Sequence, residues 1–173
     1  TSHSIESMRW LPETAAREFT GRYQQMTPLL DMAQPASYGP LILSDMYMEY
    51  RKAHEQIMCQ VPQVVQDVAD EFRRISGRSY GLFESYRLED AEVAIVVMSS
   101  AAGTTKDVID QYRDKGIRAG LLKPRLYRPF PYTEIGLALK HVKAVAVLDR
   151  SDSFGGSCGP LFLDIAGALS CQT

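Results

Sequence analysis

The stretch AIVVMSSAAGTTKDVIDQY, residues 94–112, runs from an apolar segment through small residues into a helix-like pattern. That is the layout with which proteins cradle phosphates. A G-x-x-x-x-G-K-[ST] loop needs several inward-turned N–H groups and a lysine that reaches the outer phosphates. Here Gly103 stands alone and Lys106 follows two threonines. A dinucleotide fingerprint would need two further glycines. The small residues Ser99, Ser100, Ala101 and Ala102 let the turn pack closely on a strand, and Thr104 or Thr105 can cap the helix. A structural turn is the first reading and an anion site at the helix N-terminus the second.

Two other segments carry chemistry-capable residues. LDRSDSFGGSCGPLF, residues 148–162, lies between a strand and a helix, where α/β sheets place ligands. Gly155, Gly156 and Gly159 supply unusual backbone angles, and Pro160 suits a first helical turn. Cys158 near a helix N-terminus would have a lowered thiol pKa, but no histidine is near it in sequence. The loop reads first as a turn shaped for packing or for a partner. KPRLYRPFPY, residues 123–132, gathers Lys123, Arg125 and Arg128 among Leu126, Tyr127 and Phe130. Arginine and aromatics are what protein interfaces favour, and arginines also hold phosphates. The candidate interface residues are therefore Arg125, Tyr127, Arg128, Phe130, Phe154 and Cys158. A weaker alternative is a small-anion site from Thr104, Thr105, Arg125 and Arg128. His3, His54 and His141 are scattered, and Cys59, Cys158 and Cys171 form no C-x-x-C pair. No catalytic acid–base pair and no metal ligands are nominated.

The elements that must position these residues follow from periodicity. Residues 1–43, broken by prolines at 12, 28, 35 and 40, are expected to form an extended arm, with a short helix around 13–23. Residues 44–76 predict one long bent helix, or two in series, capped by Ser44, stopped by Gly77 and kinked at Pro62. Its apolar residues, with Tyr47, Tyr50 and the methionines, are expected in the core. GRSYGLFESYRLED is expected to be a turn-rich link, and RLEDAE a solvated approach to the first strand. Strands are expected over 92–98, 117–123 and 143–149, with helices over 104–116, 132–140 and 159–170. The strands are apolar on both faces, as helix-covered parallel strands are. The alternation predicts an α/β three-layer sandwich with a mainly parallel sheet.

The totals narrow the functions. The 173-residue chain is 45% hydrophobic with a formal net charge of −2, which suits one domain and argues against general nucleic-acid binding. Its apolar runs are too short to span a bilayer, and TSHSIESMRW lacks the basic-then-apolar order of a secretory signal. A cytoplasmic protein is expected.

GRSYGLFESYRLEDAEVAIVVMSSAAGTTKDVID, GLLKPRLYRPFP, VKAVAVLDRSDSFGG and GPLF, in this order, resemble the α-subunit of the 2-oxoacid:ferredoxin oxidoreductases, the pyruvate type above all. The likeness spans residues 44–169 and falls on that subunit's second domain, of transketolase C-terminal fold. RLYRPFP followed by LDRSDSFGG is its most specific part. The resemblance implies domains at 1–43 (arm) and 44–173. It implies that the assembled enzyme oxidatively decarboxylates a 2-oxoacid to acyl-CoA on thiamine diphosphate with magnesium. Electrons would pass through [4Fe–4S] clusters to ferredoxin. Those cofactors would be bound by other domains or chains, this chain alone being inactive and serving subunit contacts within an oligomer. No stretch here matches the family's first domain, so its substrate-binding residues have no positions to be carried onto. The sequence stops at GALSCQT, where the family continues into another strand and a GLGG segment, so an unpaired sheet edge is expected. Cys158 stands where many members have glycine or an acid. The alternatives are a stand-alone interaction or scaffold protein that kept the fold without the chemistry, or a small-anion or CoA-phosphate-binding domain using Thr104, Thr105, Arg125 and Arg128.

Overall fold

The computed structural model describes residues 9–39 and 41–170, so His3, Pro40 and Cys171 lie outside the described residues. Three helices come first: α1 (Glu13–Thr20), α2 (Tyr47–Met58) and α3 (Val61–Ser76). They are followed by β1 (Phe83–Tyr86), β2 (Val93–Val97), α4 (Ala101–Asp114), β3 (Ala119–Pro124), α5 (Tyr132–Leu139), β4 (Ala144–Leu148) and α6 (Pro160–Ser170). The sheet order is β1-β3-β2-β4, with β1 antiparallel to β3 and the other pairs parallel. This is the expected α/β sandwich, and its core follows from the two-residue period of strands. Ala94, Val96 and Leu122 face α5 and α6, packing with Ile135, Leu139, Leu161 and Ile165. Their neighbours Val97 and Leu121 face α4, packing with Ala102 and Ile109.

Several expectations need correction. The link GRSYGLFESYRLED holds a fourth strand, β1, whose polar Glu84 and Ser85 hid it; it pairs Phe83 with Pro124 and Tyr86 with Leu121. RLEDAE is no simple solvated approach, because Leu88 and Ala91 are buried. Arg113 clamps this turn, donating to the carbonyls of Arg87 (2.6 Å) and Ala119 (2.7 Å) and to the Asp90 carboxylate (2.7 and 3.0 Å). β4 is apolar but not covered on both faces: Val145 and Val147 join the core while Ala144, Ala146 and Leu148 are exposed, since the helix on that face, α4, lies over β2 and β3.

The long bent segment forms, as expected, two helices in series that meet at Cys59–Gln60. Met46, not Ser44, is the N-cap, with no side-chain cap bond. Pro62 sits in the first turn of α3, where its missing N–H costs no bond, and Gly77 ends the helix at φ 67° as expected. Neither α2 nor α3 buries a residue. Tyr47, Tyr50 and Met46 are exposed rather than core, because the described chain folds nothing over that face. Finally, α1 is shorter than expected, stopping at Gly21 with φ 64°.

Candidate functional site

β2 leads through α4 to β3 on one side, and β3 crosses through α5 to β4 on the other. The connections therefore diverge at the carboxyl ends of β2 and β4, the place where open α/β sheets hold ligands. Residues 97–101 and 148–151 line a cavity of about 270 Å³ there.

One wall is the small-residue turn. Ser99 takes φ 63°, a left-handed conformation uncommon for a residue with a side chain, and this lets the chain enter α4 at Ala101. The N–H of Ala102 donates to the Ser99 carbonyl (3.3 Å) and that of Gly103 to the Ser100 carbonyl (3.0 Å). Two donors that a phosphate would use are thus bonded inside the turn. Because α4 starts three residues earlier than the sequence suggests, Thr104 and Thr105 lie within the helix and cap nothing. Thr105 is buried and donates its hydroxyl to the Ala101 carbonyl at 2.8 Å, while Thr104 is exposed.

The other wall holds a residue that the sequence reading passed over. Asp149 accepts the Ser151 N–H on Oδ1 (3.0 Å) and the Leu161 N–H on Oδ2 (2.8 Å). Its carboxylate thereby satisfies the N-terminus of α6 from twelve residues away, where the helix dipole favours negative charge. Gly159 is required by the same contact, since a Cβ there would meet the Ser151 carbonyl at 2.6 Å and Asp149 Oδ2 at 2.9 Å. Between these anchors the loop carries Phe154 fully into solvent, with Gly155 at φ 72° beside it. Cys158 is half-buried, its thiol 3.8 Å from the Ser157 hydroxyl.

The KPRLYRPFPY segment leaves β3 through two separate carboxylates. Arg125 pairs with Glu84 of β1 at 2.5 Å and lies over the Tyr80 ring at 4.4 Å. Lys106 of α4 holds the other oxygen of Glu84. Burial pushes the Glu84 carboxyl up, but the Lys106 ammonium and the Arg125 guanidinium outweigh it and hold it below its usual range. Arg128 forms its ion pair with the buried Asp164 of α6 at 2.9 Å and lies over the Tyr127 ring at 4.2 Å. Tyr132 donates its hydroxyl to the other Asp164 oxygen at 2.7 Å. Burial and the Asp164 charge both raise the Tyr127 phenol.

Arg125 and Arg128 are therefore brought to different partners, and the two threonines bond or face elsewhere. Phe130 packs between Tyr127 and Tyr132, ring centroids 6.1 and 5.0 Å away; it sits in the core at 7% exposure, off the surface where an interface residue would stand. Phe154, Arg128 and the rim of the loop remain exposed. His141 donates from Nε2 to the Leu88 carbonyl at 2.9 Å.

Among the described residues no group of three or more His, Cys, Asp or Glu could hold a metal ion. Cys59 and Cys158 are single thiols on separate elements, which does not fit an iron–sulfur cluster. The donor set does not fit a magnesium diphosphate either, since the α6 N-terminus already carries a carboxylate. No described helix is long and apolar enough to cross a membrane.

Residues 91–173 match the family profile of the pyruvate:ferredoxin oxidoreductase core domain II. Along 97% of its length the chain is 38% identical to pyruvate synthase subunit PorA of Thermotoga maritima, covering 43% of that protein. PorA of Methanosarcina barkeri is likewise 38% identical, over 97% of this chain and 42% of its own length. Ketoisovalerate oxidoreductase subunit VorA of Pyrococcus horikoshii is 35% identical over 97% of this chain and 43% of its own length. The chain thus spans less than half the length of these curated relatives. The shared segment takes in the turn at 99–102, the arginine segment and the glycine loop, and it is over residues 91–173 that the chain matches the pyruvate:ferredoxin oxidoreductase core domain II family.

Proposed function

We propose that this chain is the second domain of the α-subunit of a 2-oxoacid:ferredoxin oxidoreductase, acting on pyruvate or a related 2-oxoacid. In this reading residues 1–43 are an arm and residues 44–173 the domain proper. The observation that carries it is the collinear likeness to PorA over 97% of the chain. Thiamine diphosphate, magnesium, [4Fe–4S] clusters and CoA belong to the assembled enzyme and are bound by its other domains and subunits, in the cytoplasm. This domain holds no reacting group. Its part is architectural: the Asp149 and Asp164 anchors stiffen the loop of Phe154 and the arginine segment as contact surfaces for those neighbours. Two features support that reading over a ligand site: the turn at 99–102 bonds its own donors, and each arginine has a carboxylate partner.

The test is to affinity-tag the gene for this chain in its source cells and purify what comes with it. The preparation is then assayed for CoA-dependent ferredoxin reduction with pyruvate and, in parallel, with ketoisovalerate. Activity with either substrate is expected, together with none from the chain alone. A tagged polypeptide that purifies by itself, without activity, would leave the stand-alone scaffold as the correct reading.

A further inference from the structure

The loop at 150–159 and the second half of the arginine segment, far apart in sequence, are tied to the same end of α6. Asp149 holds that end from β4, with Oδ2 accepting the Leu161 N–H at 2.8 Å and Oδ1 the Ser151 N–H at 3.0 Å. Three residues on, and so on the same helix face, Asp164 accepts the Tyr132 hydroxyl at 2.7 Å and pairs with Arg128 at 2.9 Å. One turn further, the Tyr132 ring lies against Gly167, where a Cβ would meet its Cε1 at 3.2 Å. Leu161 is fully buried, in the cluster that also holds Phe130 and Ile135 and has Tyr127 packed against it.

Each segment is otherwise held by local bonds or by a different body. Within the loop, the Gly156 N–H donates to the Ser153 carbonyl and the Ser153 N–H to the Asp152 carboxylate, both at 2.9 Å. The arginine segment divides in two. Arg125 and Leu126 donate their N–H groups to the Leu82 carbonyl at 2.9 Å, and the Arg125 side chain goes to Glu84, so this half belongs to β1. The half from Tyr127 to Tyr132 belongs to α6. A helical turn forms and frays cooperatively. An opening that draws Leu161 away from Asp149 therefore also carries Asp164 away from Arg128 and Tyr132.

We infer that the first turns of α6 act as a latch, opening and closing the 150–159 loop together with the Tyr127–Tyr132 half of the arginine segment. A neighbour that holds Phe154 would thereby also set Arg128, and the reverse by the same factor. The inference rests on the proposed function only for what the two segments touch.

The experiment is amide hydrogen exchange of the chain by nuclear magnetic resonance, each variant being read at the far anchor. Asp149→Ala is read at Tyr132 and Ile135, whose N–H groups bond the Phe130 and Pro131 carbonyls at 2.9 and 3.0 Å and are untouched by the substitution. Asp164→Asn is read at Ser151 and Leu161, whose bonds to Asp149 it leaves in place. Exchange at the far anchor should quicken roughly fivefold or more in both directions, while Arg125, Leu126 and Val96 stay within about twofold of the parent. Glu84→Gln, which frees the other half of the segment, should leave Ser151, Leu161 and Tyr132 unchanged. Quickening confined to each variant's own anchor overturns the latch. So does uniform quickening that includes Arg125 and Val96, or a response of Leu161 to Glu84→Gln. Should Asp149→Ala fail to fold, Asp149→Asn, which keeps one acceptor oxygen, is read in the same way. Exchange in the chain reports the latch and the tagged purification reports the assembly, so either reading can fail alone.

Discussion

Replacing Asp149 by alanine tests whether one carboxylate organises the loop after β4. Its two oxygens accept the N–H groups of Ser151 and Leu161 at 3.0 and 2.8 Å, and Leu161 is fully buried. Loss of a helix cap costs about 1 kcal/mol. Loss of a partly buried charge at a helix N-terminus adds about 0.5–1 kcal/mol, so Asp149→Ala should cost about 2 kcal/mol. Asp149→Asn keeps one acceptor oxygen and should cost about half that. Urea unfolding at neutral pH measures both, and a chain of this size should lose roughly 4–8 °C in Tm for the alanine variant. Amide exchange at Leu161 should quicken well before that of β2 and β3, since the start of α6 opens first. If Asp149→Ala unfolds within about 0.5 kcal/mol of the parent, or leaves Leu161 as protected as before, Asp149 is not the anchor of α6.

Gly120→Ala should cost about 2 kcal/mol: its Cβ would meet the Arg87 carbonyl at 2.7 Å and Ala91 Cβ at 2.9 Å, and Arg113 keeps that turn from moving away. Adding Ala91→Gly should recover part of the loss in urea unfolding; no loss in the single variant would mean that the turn is soft. Glu84 is held below its usual range, so its ion pairs stabilise the fold above about pH 4.5 and are lost as pH falls below it. Glu84→Gln should therefore cost about 1 kcal/mol at pH 7, with the two stability curves converging in acid; parallel curves from pH 7 to 3 would refute the pairing. Asp164→Asn keeps an acceptor for Tyr132 but ends the Arg128 ion pair, and should cost about 1.5 kcal/mol in thermal unfolding. The near-ultraviolet dichroism of Tyr127, Phe130 and Tyr132 should weaken with it, and an unchanged aromatic signal would mean that the cluster does not depend on Asp164.

Much of this protein is legible along the chain because it is local. Three parallel strands declare themselves by short apolar runs, β-branched in β2 and β4, Gly77 and Gly116 take left-handed angles just past the helices that they end, and Pro160 opens α6. The ordered fragments around RLYRPFP and LDRSDSFGG carry the family likeness for the same reason. What tertiary structure alone decided is pairing across sequence distance. β1 is a strand because β3 supplies its hydrogen bonds, not because Phe83–Tyr86 has a strand's alternation. Asp149 is a cap only because the 150–159 loop returns α6 to it, and no N-cap rule reaches twelve residues back. Arg125 and Arg128 look alike in sequence, yet Glu84 lies 41 residues before the first and Asp164 lies 36 after the second. The apolar residues of α2 and α3 show the converse. Periodicity specifies an apolar face, but whether that face is core or surface depends on what folds against it, and only the tertiary structure leaves it bare.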